Sequence, residues 1–338
     1  MGFTEKHRNA AQLTGVAKGT FDAVFNASIV GQYLPAKEEA SLSFDFLVNQ
    51  PGVHQAASYR TYDTESNVGV VKGSENRSGK LPPLSTRLHV NEFAQLTQIG
   101  GDIGAKFEEY ARVLAAGVAT RLIQAGSEAI AGGKTSIDER GLKFEIDYGR
   151  KPELTSTASK LWSEQDADPI ADLIALRNTY KGEPGGIHVP RNVLYQLTGN
   201  KAIITAHYGR GSDLPARVSV EDVKGVFARD GFNVITSDEK FLDTNGVEQV
   251  VFGTKQVVFL PKQGGTVYDQ ALGTGALGDT LLGVTAEALK EPRLNGVPGI
   301  VAGALEHDDP AGFNVLVSAL AVPVVRNANA TASLKVLA

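Results

Sequence analysis

The stretch that decides the fold runs from Ile103 to Gly133 and reads IGAKFEEYARVLAAGVATRLIQAGSEAIAGG. Its apolar residues recur in steps of three or four, at Ile103, Phe107, Tyr110, Leu114, Val118, Leu122 and Ala125. This spacing places them along one side of an α-helix, and a glycine pair is a common helix end. The sequence therefore predicts a helix over 103–130, roughly 40 Å long. A helix of this length with one apolar stripe needs a sheet or other helices along its whole length.

Strands and helices alternate after this helix. GLKFEIDYG, at 141–149, has the pattern of a strand, and SEQDADPIADLIALRNTY, at 163–180, has that of a loop followed by a helix. Asp168 stands at a helix-capping position, with Pro169 in the first turn. The alternation continues through GGIHVP, RNVLYQLTG, VSVEDVKGVFAR, FNVITSD and EQVVFGTKQVVFLPK. We expect a mixed α/β lobe between about residue 163 and about residue 300.

The chain before the helix is less regular. Residues 1–40 show no sustained period, which predicts an extended arm with one short helix near 20–29. Residues 41–90 predict a long two-stranded excursion, in which SLSFDFLVN and HQAASYRTYDTESNVGVVKG lead to the polar tip SENRSGK and LPPLSTRLHV returns. The tip carries three charged residues, Glu75, Arg77 and Lys80. So long an excursion with few apolar residues needs a neighbouring surface to lie on.

The chain ends on AGFNVLVSALAVPVVRNANATASLKVLA, and residues 310–325 carry no charge. This uncharged run is shorter than the roughly 20 residues that cross a bilayer, and Asn314, Ser318 and Pro323 interrupt it. Its β-branched content predicts two strands around a turn at 327–329, which complete the sheet beside the long helix. Pro323 should lie near a sheet edge or a strand break.

The composition excludes several classes of protein. The 338 residues include 33 basic and 38 acidic ones, and the net charge of −5 gives no general attraction for nucleic acid or anionic lipid. Because the chain has no cysteine, disulfides, thiolate nucleophiles and iron–sulfur clusters are excluded. The N-terminus MGFTEKHRNA lacks the apolar stretch of a secretory signal, so we expect cytoplasmic synthesis.

The sequence shows no catalytic pattern. Its six histidines lack metal-ligand spacing, and no Gly-x-Ser-x-Gly elbow is found. GGKTS, at 132–136, resembles the end of a phosphate-binding loop, but Glu128 stands where that loop needs glycine. We therefore predict no catalytic residue, no cofactor and no metal ligand.

Taken in order, the arm, the excursion, the long helix with its strand, the α/β lobe and the final strands resemble the major capsid protein of tailed bacteriophages, which has the HK97-like fold. Within that group the chain is similar to the lambda-type capsid protein E family. FEIDYGR, at 144–150, resembles the strand and Gly-Arg segment that follow the family's spine helix. Trp162-Ser163 and residues 166–172 resemble its entry to the axial domain. HVPRNVLYQL, DTLLGVTAEALK and SALAVPVVRNANATASLKVLA resemble later parts of the family.

The resemblance covers most of the chain from about residue 40 and implies an α+β fold. Its parts would be an N-terminal arm at 1–40, an extended E-loop at 41–90, a peripheral domain with the spine helix and an antiparallel sheet at 91–162, a mixed α/β axial domain at 163–304 and closing strands at 305–338. Contacts between subunits would come from the E-loop tip, at Glu75, Arg77, Lys80 and Arg87. The residues that carry the family motifs are expected to be structural, namely Arg150, Trp162, Asp168, Pro169 and Pro323.

The function implied by the resemblance is structural and not enzymatic. Copies of the chain would form the hexamers and pentamers of an icosahedral phage head that encloses double-stranded DNA. The implied partners are other copies, a scaffolding protein, a portal and a decoration protein, with packaged DNA nearby and no membrane. The protein would assemble in the host cytoplasm and reside in the virion. Three alternatives stay open: an encapsulin-like compartment shell, another phage assembly protein and an uncharacterised α/β enzyme.

Overall fold

The computed structural model describes residues 2–48, 75–97, 101–180, 184–211, 213–263, 277–308 and 311–338. Its helices are α1 (Ala10–Ala27), α2 (Ile29–Tyr33), α3 (Glu92–Thr97), α4 (Ile103–Gly132), α5 (Pro169–Thr179), α6 (Arg191–Leu197), α7 (Lys201–Tyr208), α8 (Val220–Arg229) and α9 (Ala286–Lys290). Its strands are β1 (Ala36–Glu38), β2 (Ser43–Val48), β3 (Glu75–Lys80), β4 (Pro83–Val90), β5 (Lys134–Glu139), β6 (Leu142–Asp147), β7 (Thr155–Thr157), β8 (Gly186–His188), β9 (Val234–Ile235), β10 (Lys240–Leu242), β11 (Glu248–Val250), β12 (Gln256–Leu260), β13 (Gly278–Gly283), β14 (Val301–Asp308), β15 (Ala311–Val325) and β16 (Ala332–Lys335).

The first five-stranded sheet is built around β15, the uncharged strand near the C-terminus. Residues 313–318 of β15 pair with both β4 and β14, which therefore lie on opposite sides of it. Farther along, β15 pairs with β13, and β1 adds in parallel to β13. Alternate β15 residues share a core with the apolar stripe of α4, and the Phe313 and Phe107 ring centroids lie 5.2 Å apart.

The second five-stranded sheet has the order β7-β16-β12-β8-β9. The helices α5 to α8 surround a separate core, which includes Trp162, Leu173, Phe227 and Phe259. Three ribbons of two strands complete the described part of the chain: β2 with β3, β5 with β6, and β10 with β11. The mixture of helices with two sheets is the α+β class that the sequence predicts.

The prediction of the long helix is confirmed. The helix α4 spans Ile103–Gly132, and the side chain of Asp102 accepts a hydrogen bond from the backbone N–H of Gly104 at its start. At its end Gly133 adopts the left-handed region, with φ of 71°. Only glycine takes this conformation without strain, so the glycine pair ends the helix as expected.

The prediction of an extended arm at the N-terminus is wrong. Residues 10–27 form α1, an 18-residue helix whose buried side recurs every four residues, at Leu13, Ala17, Phe21 and Phe25. A capping box begins the helix, because the Asn9 side chain accepts the N–H of Gln12 and the Gln12 side chain accepts the N–H of Asn9. Gly15 and Gly19 weaken the helical pattern in the sequence. Packing against α4 and β14 compensates for that weakness.

The predicted E-loop tip is also misplaced. SENRSGK is not a turn, since Glu75–Lys80 forms β3 and pairs antiparallel with β2, so Arg77 and Lys80 lie in a ribbon. The ribbon forms because β2 buries Phe44 and Phe46 and needs a partner strand. Arg87 is not at the tip either, since it pairs with Leu316 within the first sheet. The strand predicted at 54–73 and the side chain of Glu75 lie outside the described residues.

The closing segments divide between the two sheets. As predicted, β15 completes the sheet beside α4, but β16 inserts between β7 and β12 of the second sheet. β13, which the sequence placed in the axial segment, belongs to the first sheet. Pro323 pairs with Thr280 and lies beyond Leu320, where the pairing with β4 ends. One side of the strand is open there, which accommodates a residue without an N–H.

The uncharged run forms the strand β15 over residues 311–325. Across the described ranges, none of the helices is both long and apolar enough to span a bilayer.

Candidate functional site: a buried junction and exposed surfaces

Arg150 joins the end of α4 to the second sheet. Its guanidinium donates hydrogen bonds to the carbonyls of Ile130, at 3.0 Å, and Ala131, at 2.7 Å, in the last turn of α4. It also donates to the hydroxyls of Thr155, at 2.8 Å, and Ser333, at 3.2 Å, on β7 and β16. A cation at a helix C-terminus is further stabilised by the helix dipole. Arg150 therefore fixes the second sheet against the long helix.

The surroundings of Arg150 keep this contact close. Burial lowers the pKa of Arg150 to about 10, so the guanidinium is still charged at neutral pH. A Cβ built on Gly133 would lie 2.8 Å from the Cβ of Arg150. Glycine at position 133 therefore serves twice, because it ends α4 and leaves room for the arginine.

Two buried tyrosines hold the C-terminal segments in place. The Tyr148 hydroxyl donates to the carbonyl of Pro323 at 2.6 Å and lies 3.1 Å from the Thr135 hydroxyl. The Tyr180 hydroxyl donates to the carbonyl of Ala330 at 2.8 Å. Burial raises the pKa of both phenols far above the usual range, so both remain neutral donors. The carbonyl that Pro323 turns toward the open side of β15 is thereby satisfied.

Trp162 anchors the entry to the second core. Its indole N–H donates to Oδ2 of Asp172 at 2.9 Å, while Oδ1 of Asp172 accepts the backbone N–H of Ser159 at 3.1 Å. The backbone N–H of Trp162 donates to the carbonyl of Val336 at 2.8 Å. Both carboxylate oxygens of the buried Asp172 therefore have a donor, which a buried charge requires. The Trp-Ser motif and the helix that follows it form one hydrogen-bonded unit.

Asp168 and Pro169 begin α5 in the way that the sequence predicts. The Asp168 side chain accepts the backbone N–H of Ala171 at 3.1 Å, and Pro169 occupies the first turn, where a missing N–H is harmless. The adjacent carbonyl of Ala167 accepts from the side-chain amide of Asn200 at 3.1 Å, and Asn200 caps α7. The two caps connect α5 and α7 at their N-terminal ends.

His188 is a buried titratable group beside the junction. Its ring meets Phe252 edge-on, with centroids 5.1 Å apart, and within the described part of the chain neither ring nitrogen makes a hydrogen bond of normal geometry, although the backbone of Ser237 lies near the ring. The backbone N–H of Phe252 donates to the Ser127 hydroxyl of α4 at 2.7 Å, so this contact also joins the second sheet to α4. Burial lowers the pKa of His188 to about 4, which keeps the ring neutral at neutral pH.

The N-terminal residues cover one edge of the first sheet. The backbone N–H of Thr4 donates to the carbonyl of Ala304 at 2.8 Å, and the Thr14 hydroxyl bonds to both backbone groups of Ala302. Ion pairs hold the segment down, and they join Lys6 to Glu306, Glu5 to Arg293 and Arg8 to Asp102. The edge of β14 is thus closed to pairing with another chain along these residues.

The predicted E-loop contact residues do not form one cluster. Arg77 bonds to the carbonyl of Asp147 and pairs with its carboxylate at 3.5 Å, so it is engaged inside its own subunit. Lys80 is exposed at the end of the ribbon, and Arg87 is exposed on β4. The two residues therefore belong to different sheets.

Some of the exposed large apolar side chains in the described ranges occur in pairs that are close in the sequence. The pairs are Phe93 and Leu96 on α3, Leu242 and Val247 at the hairpin of β10 and β11, and Leu289 and Val297 at and after α9. Clustered exposed apolar groups indicate surfaces that become buried in a complex. Nothing in the sequence distinguishes these residues from core positions, so only the structure reveals them. Throughout the residues that the structure describes, no group of three or more His, Asp or Glu could hold a metal ion.

Comparison with known proteins connects these features to a family. The sequence pattern of the phage major capsid protein E family matches residues 113–336, which is more than half of the chain. The chain belongs to the phage major capsid protein E family. It is therefore a structural protein of a phage capsid that assembles with other copies, and its place in a finished phage is the virion. The match includes the motif residues, namely Arg150, Trp162, Asp168, Pro169 and Pro323.

Solved structures show that this capsid protein has the HK97-like fold. It resembles a protein assigned as the capsid protein of a prophage of Escherichia coli CFT073, with 15% identity, a TM-score of 0.59 and coverage of 98% of this chain and 99% of that one. It also resembles a phage-related protein from Bordetella bronchiseptica RB50, with 12% identity, a TM-score of 0.57 and coverage of 96% of each chain. At such identities the likeness concerns the fold alone. None of the curated proteins matches the sequence.

The sequence indicated only part of the capsid protein's junction. Tyr148 and Asp172 lie inside the quoted family motifs, and their partners Pro323 and Trp162 are motif residues as well, but no sequence pattern indicates that these residues bond to each other. Tyr180 ends the predicted helix of the axial lobe and was not singled out. His188 lies in the segment HVPRNVLYQL, and its burial follows only from the pairing of β8 with β12 and β9.

Proposed function

We propose that copies of this chain form the hexamers and pentamers of an icosahedral phage head that encloses double-stranded DNA. The family match carries this proposal, because the members of the family are major capsid proteins. The exposed apolar pairs support it, since burying them against other copies releases apolar surface from water. Contacts between unlike surfaces of identical subunits close into rings when the rotation permits.

The proposed role is entirely structural. In the described part of the chain, the side chains that hold the junction together bond to groups of the junction itself, Trp162 to Asp172 and Arg150 to the α4 carbonyls. A catalytic site would need such groups aimed into a pocket. The junction instead uses them to hold two sheets and a long helix together.

The partners follow from the same role. We propose that a scaffolding protein and a portal direct assembly in the host cytoplasm, and that a decoration protein binds the finished shell. Packaged DNA lies near the shell without a specific site. The net charge of −5 supports non-specific proximity over strong binding.

Particle sizing tests the proposal directly. The full chain is expressed alone and together with the scaffolding protein of the same phage, and the products are examined by sedimentation and negative-stain electron microscopy. We expect closed particles of megadalton mass in at least one of the two conditions. Monomers or dimers alone, at high protein concentration and with scaffold supplied, would contradict the proposal.

The content of native particles separates a phage head from a compartment shell. Particles from infected or induced cells are treated with nuclease and then opened. Protected double-stranded DNA is expected. An enzyme cargo in place of DNA would favour the compartment shell and overturn the assignment to a phage head.

The proposed contacts between subunits differ from those expected from the sequence for Glu75, Arg77, Lys80 and Arg87. We propose that Glu75, Lys80 and Arg87 contact neighbouring subunits, while Arg77 supports them from its place beside Asp147. Arg87→Glu should lower the yield of particles without changing the unfolding of the subunit, because Arg87 is exposed. Arg87→Lys keeps the charge and serves as the control. Equal yields from both variants would remove Arg87 from the interface.

A further inference from the structure

The two most exposed large apolar side chains in the described ranges are Phe93, 73% exposed, and Leu289, 71% exposed. Each has a second such residue beside it. Leu96, 57% exposed, follows Phe93 on α3, and Val297, 54% exposed, follows Leu289 after α9. We call Phe93 and Leu96 the α3 pair, and Leu289 and Val297 the α9 pair.

The α3 pair is held on an anchored helix. Asn91 caps α3 by accepting the backbone N–H of Ala94 at 2.8 Å, and Ala94 packs on the main core. The side-chain amide of Gln95 donates to the carbonyl of Ala311 at 3.3 Å, which fixes α3 beside the start of β15. Phe93 and Leu96 are three residues apart and so share one side of the helix. They form a preorganised apolar surface.

The α9 pair is anchored equally well. The Thr285 side chain caps α9 by accepting the N–H of Ala288 at 3.1 Å, and Glu287 lies 3.2 Å from the Ser318 hydroxyl of β15. The turn that leads to Val297 folds back onto the helix, because the N–H of Gly296 donates to the carbonyl of Ala288 at 3.1 Å. The Cδ2 atom of Leu289 lies 3.2 Å from a Cβ built on Gly296, so Leu289 lies against the turn that carries Val297.

The two pairs lie beside different positions along the same strand of the first sheet. The α3 pair is next to Ala311 and the α9 pair is next to Ser318, and both positions are on β15. Seven residues of strand separate them by roughly 23 Å. One subunit cannot bring the pairs together, whereas two subunits can do so in a head-to-tail arrangement.

Charge favours the same arrangement. Glu92 is exposed directly beside Phe93, and Lys290 is exposed directly beside Leu289. Neither residue has an ion-pair partner within the described part of its own chain, whereas most exposed charges near the N-terminus do. In a head-to-tail contact, Glu92 beside the α3 pair of one copy would lie against Lys290 beside the α9 pair of the other copy. Such complementarity favours correct pairing and disfavours contact between like ends.

We propose that the α3 pair of one copy packs against the α9 pair of a second copy, with Glu92 facing Lys290 across the contact. This inference rests on the proposed function and adds to it a specific interface and its polarity. The contact is heterologous, so each subunit keeps one free end and the assembly can continue until it closes.

Cross-linking tests the polarity of the contact. The native chain has no cysteine, so Phe93→Cys and Leu289→Cys introduce the only thiols. Assembled protein is treated with a short bismaleimide. The double variant should shift from monomer to a ladder of covalent multimers, with linked peptides that carry positions 93 and 289. Each single variant should stay monomeric on a denaturing gel, and dimers of the Phe93→Cys single variant would overturn the head-to-tail arrangement.

Charge reversal tests the contact independently. Glu92→Lys should cause a loss of particles, and Glu92→Lys combined with Lys290→Glu should restore them. Lys201→Glu, at an exposed lysine on α7, is the matched control and should leave particles unchanged. Failure of the double reversal to restore assembly would count against the interface, provided that Lys201→Glu assembles.

The interface and the capsid role can be contradicted separately. If the unsubstituted chain forms particles but positions 93 and 289 do not cross-link between copies, the interface is wrong and the capsid role stands. If the unsubstituted chain forms no particles even with scaffold, the proposed function fails and this inference fails with it.

Discussion

The buried junction and the two exposed apolar pairs beside the first sheet differ in the partners that their side chains have. At the junction, Arg150 and Asp172 each meet donors or acceptors within 3.2 Å that belong to the same chain. In the two exposed pairs, Phe93 and Leu289 are mostly surrounded by solvent. The difference supports the proposal that one chain completes the interior of the subunit, whereas other copies cover these surfaces. Interior substitutions should therefore affect folding, and substitutions in the exposed pairs should affect assembly.

The largest expected effect on folding belongs to Trp162. Trp162→Ala removes a fully buried indole and its bond to Asp172, and should lower the free energy of unfolding by about 3–5 kcal/mol. Urea unfolding of the unassembled subunit measures this. Tyr195→Ala removes an exposed aromatic side chain and should change stability by less than about 0.5 kcal/mol. Similar losses in the two variants would contradict the interior role of Trp162.

Acid should weaken the junction through His188. The folded pKa of about 4 lies below the unfolded value of about 6.5, so the unfolded state binds the proton first as the pH falls. Stability is therefore complete above about pH 6.5 and decreases down to about pH 4, by about 3 kcal/mol in total. As the pH falls through this range, the His188→Leu variant should lose less stability than the unsubstituted chain. The comparison isolates His188 from Glu128 and Glu239, whose pKa values burial raises. Parallel curves for the two proteins would exclude His188 as the cause.

Arg150 should give a smaller but specific loss. Arg150→Ala leaves the carbonyls of Ile130 and Ala131 without their donor and should cost about 1–3 kcal/mol. Arg150→Lys keeps the charge but cannot reach both α4 and the second sheet, so it should recover only part of the loss. Calorimetry of the unassembled subunit is the measurement. Full recovery by lysine would show that charge alone matters.

The sequence predicted the local elements well and the distant connections poorly. The end of α4 at Gly133 and the cap of α5 at Asp168 depend on neighbouring residues, and both were recognised. Arg150 bonds to Ala131, 19 residues away, and to Ser333, 183 residues away, and no local pattern reveals these two partners. The strands β15 and β16 follow each other closely but join different sheets, which a hairpin pattern cannot show. The short helix predicted near 20–29 covers only the second half of α1, and the first half was missed because Gly15 and Gly19 weaken the helical pattern in the sequence.

The smallest expected effect on folding belongs to the α3 pair and the α9 pair. Phe93→Ser and Leu289→Ser replace exposed side chains, so each should change the free energy of unfolding by less than about 0.5 kcal/mol. Both should nevertheless reduce assembly, because serine brings a polar hydroxyl into the contact between copies, whereas the cysteine used for cross-linking is a small apolar residue. Unfolding of the subunit and particle yield are measured on the same preparations. If either variant lost much of its free energy of unfolding and still assembled normally, its side chain would serve folding and not the contact between copies, which would contradict the prediction.

Electron cryomicroscopy of the assembled protein tests the central claim most directly, since it shows which surfaces of the subunit other copies cover. We expect closed shells in which Phe93 and Leu289 are buried between neighbouring subunits, while the junction around Arg150 keeps the hydrogen bonds that it has in the single subunit. A protein that remains monomeric, or closed shells in which both side chains still face solvent, would contradict it.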